Sequence, residues 1–311
     1  MGEWKERIKR LLFEENVYSI GIRRRKDKLL IDGNTQDPFW ILPISKDEWY
    51  ADPIVFSRQG KDYLFCEVYD RKTDKGKIGV TLLVSDSPQK PEVCFEIDSH
   101  LSYPMVFEKD GTIFMIPETT TRKTVMLYKA VDFPMKWELV KELISGDEFS
   151  DTTVFREGNQ TILLTFEQFE GNGSIVRLNV FNAEHITDGE LQVIINSNDN
   201  FSNQIRGGGS LFYHDGKLIR PAQDCSKVYG YALNFFQVER LTPIYEEKLI
   251  AKIEPGNLKT NLEKEIIGIH TYGLTNSYEF IDVKFNDIII SHQIRRLWRF
   301  GINEITKLFK Y

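Results

Sequence analysis

The chain has 311 residues and a formal net charge of −6, with 41% hydrophobic and 28% charged residues. These values are ordinary for a folded globular protein, and the acidic balance gives no electrostatic reason to expect nucleic acid as a partner. The three cysteines show neither a metal-binding spacing nor the even count of a disulfide framework. The sequence has no signal-peptide pattern and no apolar run near the roughly 20 residues of a membrane span. We therefore expect a cytoplasmic protein that uses no cofactor and no metal.

The first element in chain order is a short helix predicted over residues 1–16. Trp4, Ile8, Leu11 and Leu12 recur there at helical spacing among charged residues. Two strands of apolar character come next, at 18–22 and 39–42. Both precede the first complete repeat, so their place in the fold depends on the number of units in the rest of the chain.

A four-stranded pattern then repeats along the chain. Each copy begins with an apolar strand, a polar turn containing glycine and a second apolar strand, which is the signal of a β-hairpin. A third and a fourth strand complete each unit, as at 78–83 and 93–97 in the first copy. Four strands at a period of about 50 residues are typical of β-propeller blades. The first strands of the four copies lie at 51–56, 103–107, 151–155 and 208–212.

A fifth unit contains only its first two strands, at 270–274 and 278–283. The N-terminal strands have the character of its missing third and fourth strands. Closing the ring with them would remove the two exposed sheet edges, which otherwise invite aggregation. The sequence therefore predicts an all-β fold, with a single five-bladed β-propeller over residues 17–290 and short helices at both ends.

The last predicted element is a basic amphipathic helix over residues 291–311. A helix of this kind can pack on the propeller's own flank, on a partner enzyme or on a membrane surface, and the sequence leaves these alternatives open. The apolar face consists of Ile294, Leu297, Trp298, Ile302, Ile305 and Phe309.

The repeat brings polar residues to one opening. The innermost strand of each blade lines the central channel, so the residues at its start converge. The second strand runs back antiparallel and ends near the same face. Carboxylates crowded there repel one another, and at least one pKa should be raised. The first set is Asp52, Tyr103, Asp151, Gly208 and His270, and the second is Glu67, Glu118, Glu167 and Gln223.

Three of these acids are the candidate catalytic residues. A raised and an ordinary carboxyl side by side are what the cleavage of a glycosidic bond requires. Asp52 is the candidate nucleophile or base, because the proline after it fixes the start of its strand. Glu118 and Asp151 are the candidates for the acid and for tuning the pKa values. The competing interpretation is that such acids only accept backbone N–H bonds in turns.

Further residues are candidates for binding a sugar. Arg206 precedes three glycines, which permit close approach of a ligand to the backbone, and its guanidinium can hold a carboxylate or phosphate. Aromatic rings near the opening can stack on a sugar ring, although core packing is the default for each of them. The predicted binding set is Trp49, Tyr50, Glu67, His100, Tyr103, Glu167, Arg206, Gln223, Asp224 and His270.

Seven short motifs carry a resemblance to a known family. In chain order, they are WYADP at 49–53, YLFCE at 63–67, SYP at 102–104, IPET at 116–119, DTT at 151–153, RPAQD at 220–224 and IHT at 269–271. Together they resemble the N-terminal propeller domain of plant glucosamine inositolphosphorylceramide transferases, over residues 17–285. That domain is similar in turn to the five-bladed propellers of glycoside hydrolase family 43. The resemblance implies Asp52 as base, Asp151 as the pKa-tuning acid, and Glu118 or Glu167 as proton donor.

The motifs and the repeat are compatible with two functions from different classes. The leading prediction is a carbohydrate-active enzyme that transfers or hydrolyses a glycosidic bond in polysaccharide or glycolipid biosynthesis. The alternative is a non-catalytic module that binds a glycan or nucleotide sugar and partners a separate glycosyltransferase or sugar-modifying enzyme. Fold alone does not decide between them, because propellers host both.

Overall fold

The computed structural model describes residues 14–83, 89–295 and 298. The chain opens with β1 (Glu14–Arg24) and β2 (Trp40–Ile41), which pair antiparallel. Residues 14–16, predicted as the end of an N-terminal helix, belong to β1 because they pair with residues 286–288. The rest of that predicted helix lies outside the described residues.

Two antiparallel sheets come next, each with four strands in chain order. Their inner strands are apolar and buried, as the repeat predicts. The first sheet contains β3 (Glu48–Arg58), β4 (Lys61–Asp70), β5 (Lys75–Leu83) and β6 (Glu92–Phe95). The second contains β7 (Ser102–Lys109), β8 (Thr112–Glu118), β9 (Thr124–Asp132) and β10 (Lys136–Ser145).

The next two strand groups are joined into one nine-stranded sheet. Their outermost strands pair in parallel, at Ile195 with Ile244 and at Asn196 with Tyr245. One group is β11 (Phe149–Glu157), β12 (Gln160–Phe169), β13 (Asn172–Asn182) and β14 (Gln192–Asn196). The other is β15 (Arg206–Gly207), β16 (Phe212–His214), β17 (Lys217–Asp224), β18 (Ala232–Arg240) and β19 (Ile244–Ile253).

The last sheet joins the two ends of the described chain. It contains β20 (Ile266–Gly268), β21 (Tyr272–Leu274) and β22 (Tyr278–Ile288), and β22 pairs with β1 along the whole of β1. The strand order is β2-β1-β22-β20, with β21 also on β22. The N-terminal strands therefore supply the missing third and fourth strands of the last unit.

Three first strands share one backbone irregularity. The pairing register shifts just after Ala51 in β3, Ser102 in β7 and Ser150 in β11. At each shift a non-glycine residue takes a left-handed conformation, with φ of 53° at Asp52, 42° at Tyr103 and 47° at Asp151. Such values are uncommon outside glycine and cluster at functional sites. Three of the five residues aligned from the repeat thus occupy one structural position, which we call the bulge position.

The core lies between neighbouring strand groups. Ile54 of β3, Met105 of β7 and Val154 of β11 belong to one buried cluster, so apolar side chains link three successive groups. Burying this surface is the main force that holds sheets side by side. The bulge positions stand at one end of these packed strands.

Only the start of the predicted C-terminal helix lies within the described residues. Residues 290–295 are helical, and so is Trp298. Within the described part of the chain, no helix has the length and apolar character needed to cross a membrane.

Candidate functional site

Asp52 stands at the centre of a buried polar cluster. The residue is only 6% exposed. Its carboxylate accepts hydrogen bonds from the backbone N–H of Tyr103 (3.1 Å) and from the hydroxyl of Thr271 (3.2 Å). The Nε2 atom of His270 lies 3.8 Å from Oδ1 of Asp52. Residues from three sequence-distant units thus meet at one carboxyl group.

Asp282 fixes the histidine of this cluster. Its Oδ1 accepts the backbone N–H groups of His270 (3.1 Å) and Thr271 (2.9 Å), and its Oδ2 lies 2.6 Å from Nδ1 of His270. The ring of Tyr18 stacks on the imidazole, with centroids 4.5 Å apart. The imidazole therefore turns Nδ1 to one carboxylate and Nε2 to the other, in the series Asp282–His270–Asp52.

The three groups of this series have their pKa values pushed apart. Burial raises the pKa of Asp52 to about 7, against the effect of His270 and with a further rise from the nearby Glu67. Burial would also raise the pKa of Asp282, but the contact with His270 outweighs it and the pKa is lowered. For His270, burial lowers the pKa, and the attraction of Asp282 more than compensates, so the pKa is raised. A charged Asp282–His270 pair thus stands beside a carboxyl that titrates near neutrality.

A second cluster surrounds Asp151. Its Oδ2 lies 2.7 Å from Nε of Arg206, a guanidinium that also reaches Glu118 at 3.3 Å. Burial raises the pKa of Asp151 well above its usual value, which Arg206 opposes and Glu118 reinforces. The charge of Glu118 raises the pKa of both Asp52 and Asp151, and the charge of Asp52 also raises the pKa of Asp151. The structure thus brings the three predicted catalytic acids into one electrostatic unit.

The same acids also hold the bulge positions in place. Asp282 accepts the backbone N–H of Asp52 (3.0 Å), Asp52 accepts that of Tyr103, and Glu118 accepts that of Asp151 (3.0 Å). Each bond runs from one strand group to the next. This is the structural role that the competing interpretation assigned to these acids, and it stabilises the left-handed backbone there.

Glu67 and His100 form a pair at the end of β4. Nε2 of His100 lies 3.2 Å from the Glu67 carboxylate, and Nδ1 accepts the backbone N–H of Gly76 (3.0 Å). A ring nitrogen that accepts an N–H carries no proton, so Nε2 holds the proton of a neutral imidazole. A Cβ at Gly76 would lie 2.5 Å from Oε1 of Glu67. Glycine at this position allows the carboxylate to approach the backbone.

The aromatic residues predicted to bind sugar differ in exposure. Trp49 is half-buried and stacks on Tyr69, with centroids 4.4 Å apart. Tyr50 is 1% exposed and packs in the core. Tyr103 is fully buried, and its hydroxyl accepts the backbone N–H of Gly209 (2.9 Å). The rings of Tyr50 and Tyr103 therefore offer no open face, because both are enclosed by neighbouring strands.

Three other predicted binding residues have partners outside the two clusters. Glu167 pairs with Arg177 at 2.6 Å, directly across the strand. Gln223 donates to the backbone oxygen of Gly207 (2.6 Å), and Asp224 pairs with Lys252 (2.6 Å). Gln223 and Asp224 are fully buried.

Sequence reasoning missed Asp282, Thr271, Tyr18 and Tyr229, although all four surround the two clusters. Tyr229 packs edge-on against His270. The guanidinium carbon of Arg206 lies over the Tyr229 ring, 5.2 Å from the ring centroid. One signal was available. Asp282 interrupts an apolar strand, and an acid that is buried in this way needs a polar partner.

Asp52, His270 and Asp282 also have the ligand types of a metal site, with candidate atoms within 4.8 Å of one another. Both oxygens of Asp282, however, already accept two hydrogen bonds each from protein N–H groups. Such an arrangement leaves this carboxylate little capacity for a cation. The trio fits a hydrogen-bonded network better than a metal centre.

Solved structures show which class the fold belongs to. The chain superimposes with a TM-score of 0.54 on a thermostable family-43 glycoside hydrolase, at 13% identity over 80% of this chain and 92% of that one. The GH62 α-L-arabinofuranosidase of Coprinopsis cinerea gives a TM-score of 0.54 at 10% identity, over 78% of this chain and 93% of that one. A β-1,2-mannobiose phosphorylase of Listeria innocua gives a TM-score of 0.52 at 12% identity, over 88% of this chain and 99% of that one. The protein is thus an all-β protein with the propeller-like fold of these enzymes.

Sequence comparison then identifies the family. Residues 44–260 match the family described as glucosamine inositolphosphorylceramide transferase 1, N-terminal, and the chain belongs to it. Glucosamine inositolphosphorylceramide transferase 1 of Oryza sativa subsp. indica is 30% identical over 198 residues, and that of Arabidopsis thaliana is 29% identical over 209. Each match covers 62% of this chain but only 26% of the relative. The predicted family resemblance is confirmed, and the chain spans about a quarter of the length of these relatives.

Proposed function

We propose that the protein is a carbohydrate-active enzyme that acts on a glycosidic bond, by transfer or by hydrolysis. The observation that carries this proposal is the pair Asp52 and Asp151. Both acids are buried at equivalent bulge positions, and each faces its own cation, His270 for Asp52 and Arg206 for Asp151. Glycosidic bond chemistry uses carboxyl groups whose surroundings shift their pKa values, and burial raises the pKa of both of these acids.

The proposed architecture is a five-bladed propeller. In this proposal, each of the strand groups described above is one blade, and β1 and β2 complete the blade that contains β22. The strand order of the sheets supports it, and so does the shared backbone conformation at three bulge positions. The acid clusters then belong to one end of the central channel.

Each acid has a role in the proposed reaction. Asp52, ionised above a pKa of about 7, removes the proton of the attacking hydroxyl or attacks the anomeric carbon itself. Glu118, whose side chain keeps 12% exposure, donates a proton to the leaving oxygen. Asp151 and Arg206 set the charge around Glu118. His270 and Asp282 position the Asp52 carboxylate and balance its charge.

The relatives suggest the substrate class. They are named as transferases of glucosamine inositolphosphorylceramide, so we propose a sugar donor and a glycolipid acceptor, within the biosynthesis of a glycolipid or polysaccharide. A nucleotide sugar is the proposed donor. The cytoplasmic location remains a prediction from the sequence.

One observation favours the binding module as a second candidate. The carboxylates of Asp52, Glu118 and Asp282 accept backbone N–H bonds that link neighbouring strand groups. Acids with this structural role need no catalytic role. The relatives extend far beyond the matched region, so a separate transferase domain or enzyme would then perform the chemistry.

The two candidates are separated by substitution of Asp52. The purified protein is incubated with nucleotide sugars, simple glycosides and glycolipid acceptors, while product formation and ligand binding are measured in parallel. We expect Asp52→Asn to bind the ligand but to lose activity by about 100-fold or more, the range typical of a lost acid–base group. Glu247→Gln is the matched control, because it weakens a buried ion pair with Arg220 outside the acid clusters.

Each outcome decides the question. Binding without turnover by the wild type would favour the module over the enzyme. Full turnover by Asp52→Asn would refute the assigned role of Asp52. Thermal unfolding of all three proteins separates a lost function from a lost fold.

A further inference from the structure

The helical residues 290–295 are fixed to the protein along one side. Nε2 of His292 lies 2.8 Å from Asp74, and Nδ1 of the same ring contacts Glu15. The Gln293 amide donates to Glu15 (3.1 Å), and Arg295 lies 3.5 Å from Asp47. His292 is 3% exposed. This side of the helix is therefore seated by polar contacts on the first and last sheets.

The other side carries large apolar residues in contact with solvent. Ile290, Ile294 and Trp298 are 45%, 54% and 72% exposed. Residues four apart lie on one face of a helix, so the three form a continuous row. We call this row the C-terminal stripe. An apolar row of this kind at the surface marks an interaction site.

The charge of the C-terminal segment is opposite in sign to that of the whole chain. Residues 291–311 contain a single acid, Glu304, in a protein whose net charge is −6. A positive, apolar segment on an acidic protein is complementary to a surface that is both anionic and apolar. The basic residues of the segment are Arg295, Arg296, Arg299, Lys307 and Lys310.

The stripe also has a defined position relative to the acid clusters. Asp47 directly precedes β3, and Asp74 lies between β4 and β5. Both residues contact the helix, and both lie at the end of the first sheet where β3 begins and β4 ends. Asp52 and Glu67 lie near that same end of the two strands. The helix is therefore seated at the rim of the face that carries the acids.

We propose that the C-terminal stripe docks the protein on an anionic lipid membrane. Trp298, Ile294 and Ile290 enter the boundary between headgroups and acyl chains. The basic residues other than Arg295, which lies beside Asp47, contact the anionic headgroups. Docking in this way brings the end of the first sheet that carries Asp52 close to the membrane. The inference rests on the stripe and its charge, and it does not require that the acids be catalytic.

The test is vesicle co-sedimentation of the full chain. We expect binding to vesicles that contain about a third phosphatidylserine, weak binding to pure phosphatidylcholine, and loss of binding as salt is raised. Ile294→Ser with Trp298→Ser should lower the affinity by about tenfold or more. The matched control is Val193→Ser with Ile195→Ser, which removes two apolar side chains that are 77% and 66% exposed on β14.

A charge arm separates the electrostatic contribution. Arg296→Glu with Arg299→Glu should abolish the preference for phosphatidylserine. The proposal is overturned if the wild type does not sediment with anionic vesicles, if it binds both vesicle types equally, or if the stripe variants bind like the wild type. It is also overturned if the stripe variants lose only self-association, measured by light scattering, because the stripe would then join two copies of the chain.

Discussion

Replacing His270 by glutamine should raise the pKa of Asp52. Nε2 of His270 lies 3.8 Å from the Asp52 carboxylate. At an effective dielectric constant of about 20, two unit charges at that separation attract by about 4 kcal/mol, which corresponds to roughly 3 pKa units. The negative charge of Asp282 offsets part of this attraction in the wild type. We therefore expect a rise of at least about one unit from the wild-type value of about 7.

The shift can be followed without any assumption about catalysis. Carboxyl ¹³C chemical shifts are titrated in protein labelled at aspartate, and Asp52→Asn identifies the resonance. If the proposed activity is present, its onset moves to higher pH by the same amount, because the base works in its ionised form. His185→Gln is the control, since that side chain is 65% exposed. An Asp52 resonance that titrates at an unchanged or lower pH in His270→Gln would refute the charge coupling.

Three further predictions concern stability. Because the pKa of Asp52 is raised on folding, its contribution is full below about pH 4 and is lost as the pH rises through about 7. The melting temperature of the wild type should therefore fall from pH 5 to pH 8, and it should fall less in Asp52→Asn. Melting temperatures that fall equally in both proteins would contradict this prediction. Arg206→Met leaves the buried Asp151 without its cation. It should lower the free energy of unfolding in urea by about 3–5 kcal/mol, and adding Asp151→Asn should restore part of that loss. No recovery in that double variant would rule out the charge explanation. Tyr103→Phe leaves the N–H of Gly209 unpaired and should cost about 1–3 kcal/mol, and a neutral result would exclude that bond as a determinant.

The repeat was readable in the sequence because its physical cause is local. An apolar strand, a turn and a second strand recur with the same spacing, and this recurrence aligned Asp52, Tyr103 and Asp151. The structure gives all three a left-handed backbone. Pairing of the N-terminal strands with the last unit was also predictable, since an incomplete sheet needs strands to cover its edge.

The partners of the acids could not be predicted from the sequence, because they depend on which residues face each other across the sheet. Glu167 aligns with Glu118 in the repeat, yet Arg177 lies directly opposite Glu167 and pairs with it within the same sheet. Asp282 was missed because it follows His270 by 12 positions, whereas Glu67 follows Asp52 by 15. The turn between β21 and β22 is short, so the last unit does not keep the spacing of the others. Tyr50 is enclosed because its side of the strand faces the core.

The pairing of β1 with β22 has a consequence for how the protein is made. Arg23 and Glu279 form a buried ion pair within it, although 256 positions separate them in the chain. Contacts between residues so distant in sequence slow folding, because a long loop must close before they form. During synthesis, β1 leaves the ribosome before β22 and cannot pair with it until β22 emerges. The folding rate of the molecule is therefore expected to respond to substitutions at the β1–β22 pairing more than to changes within the other sheets.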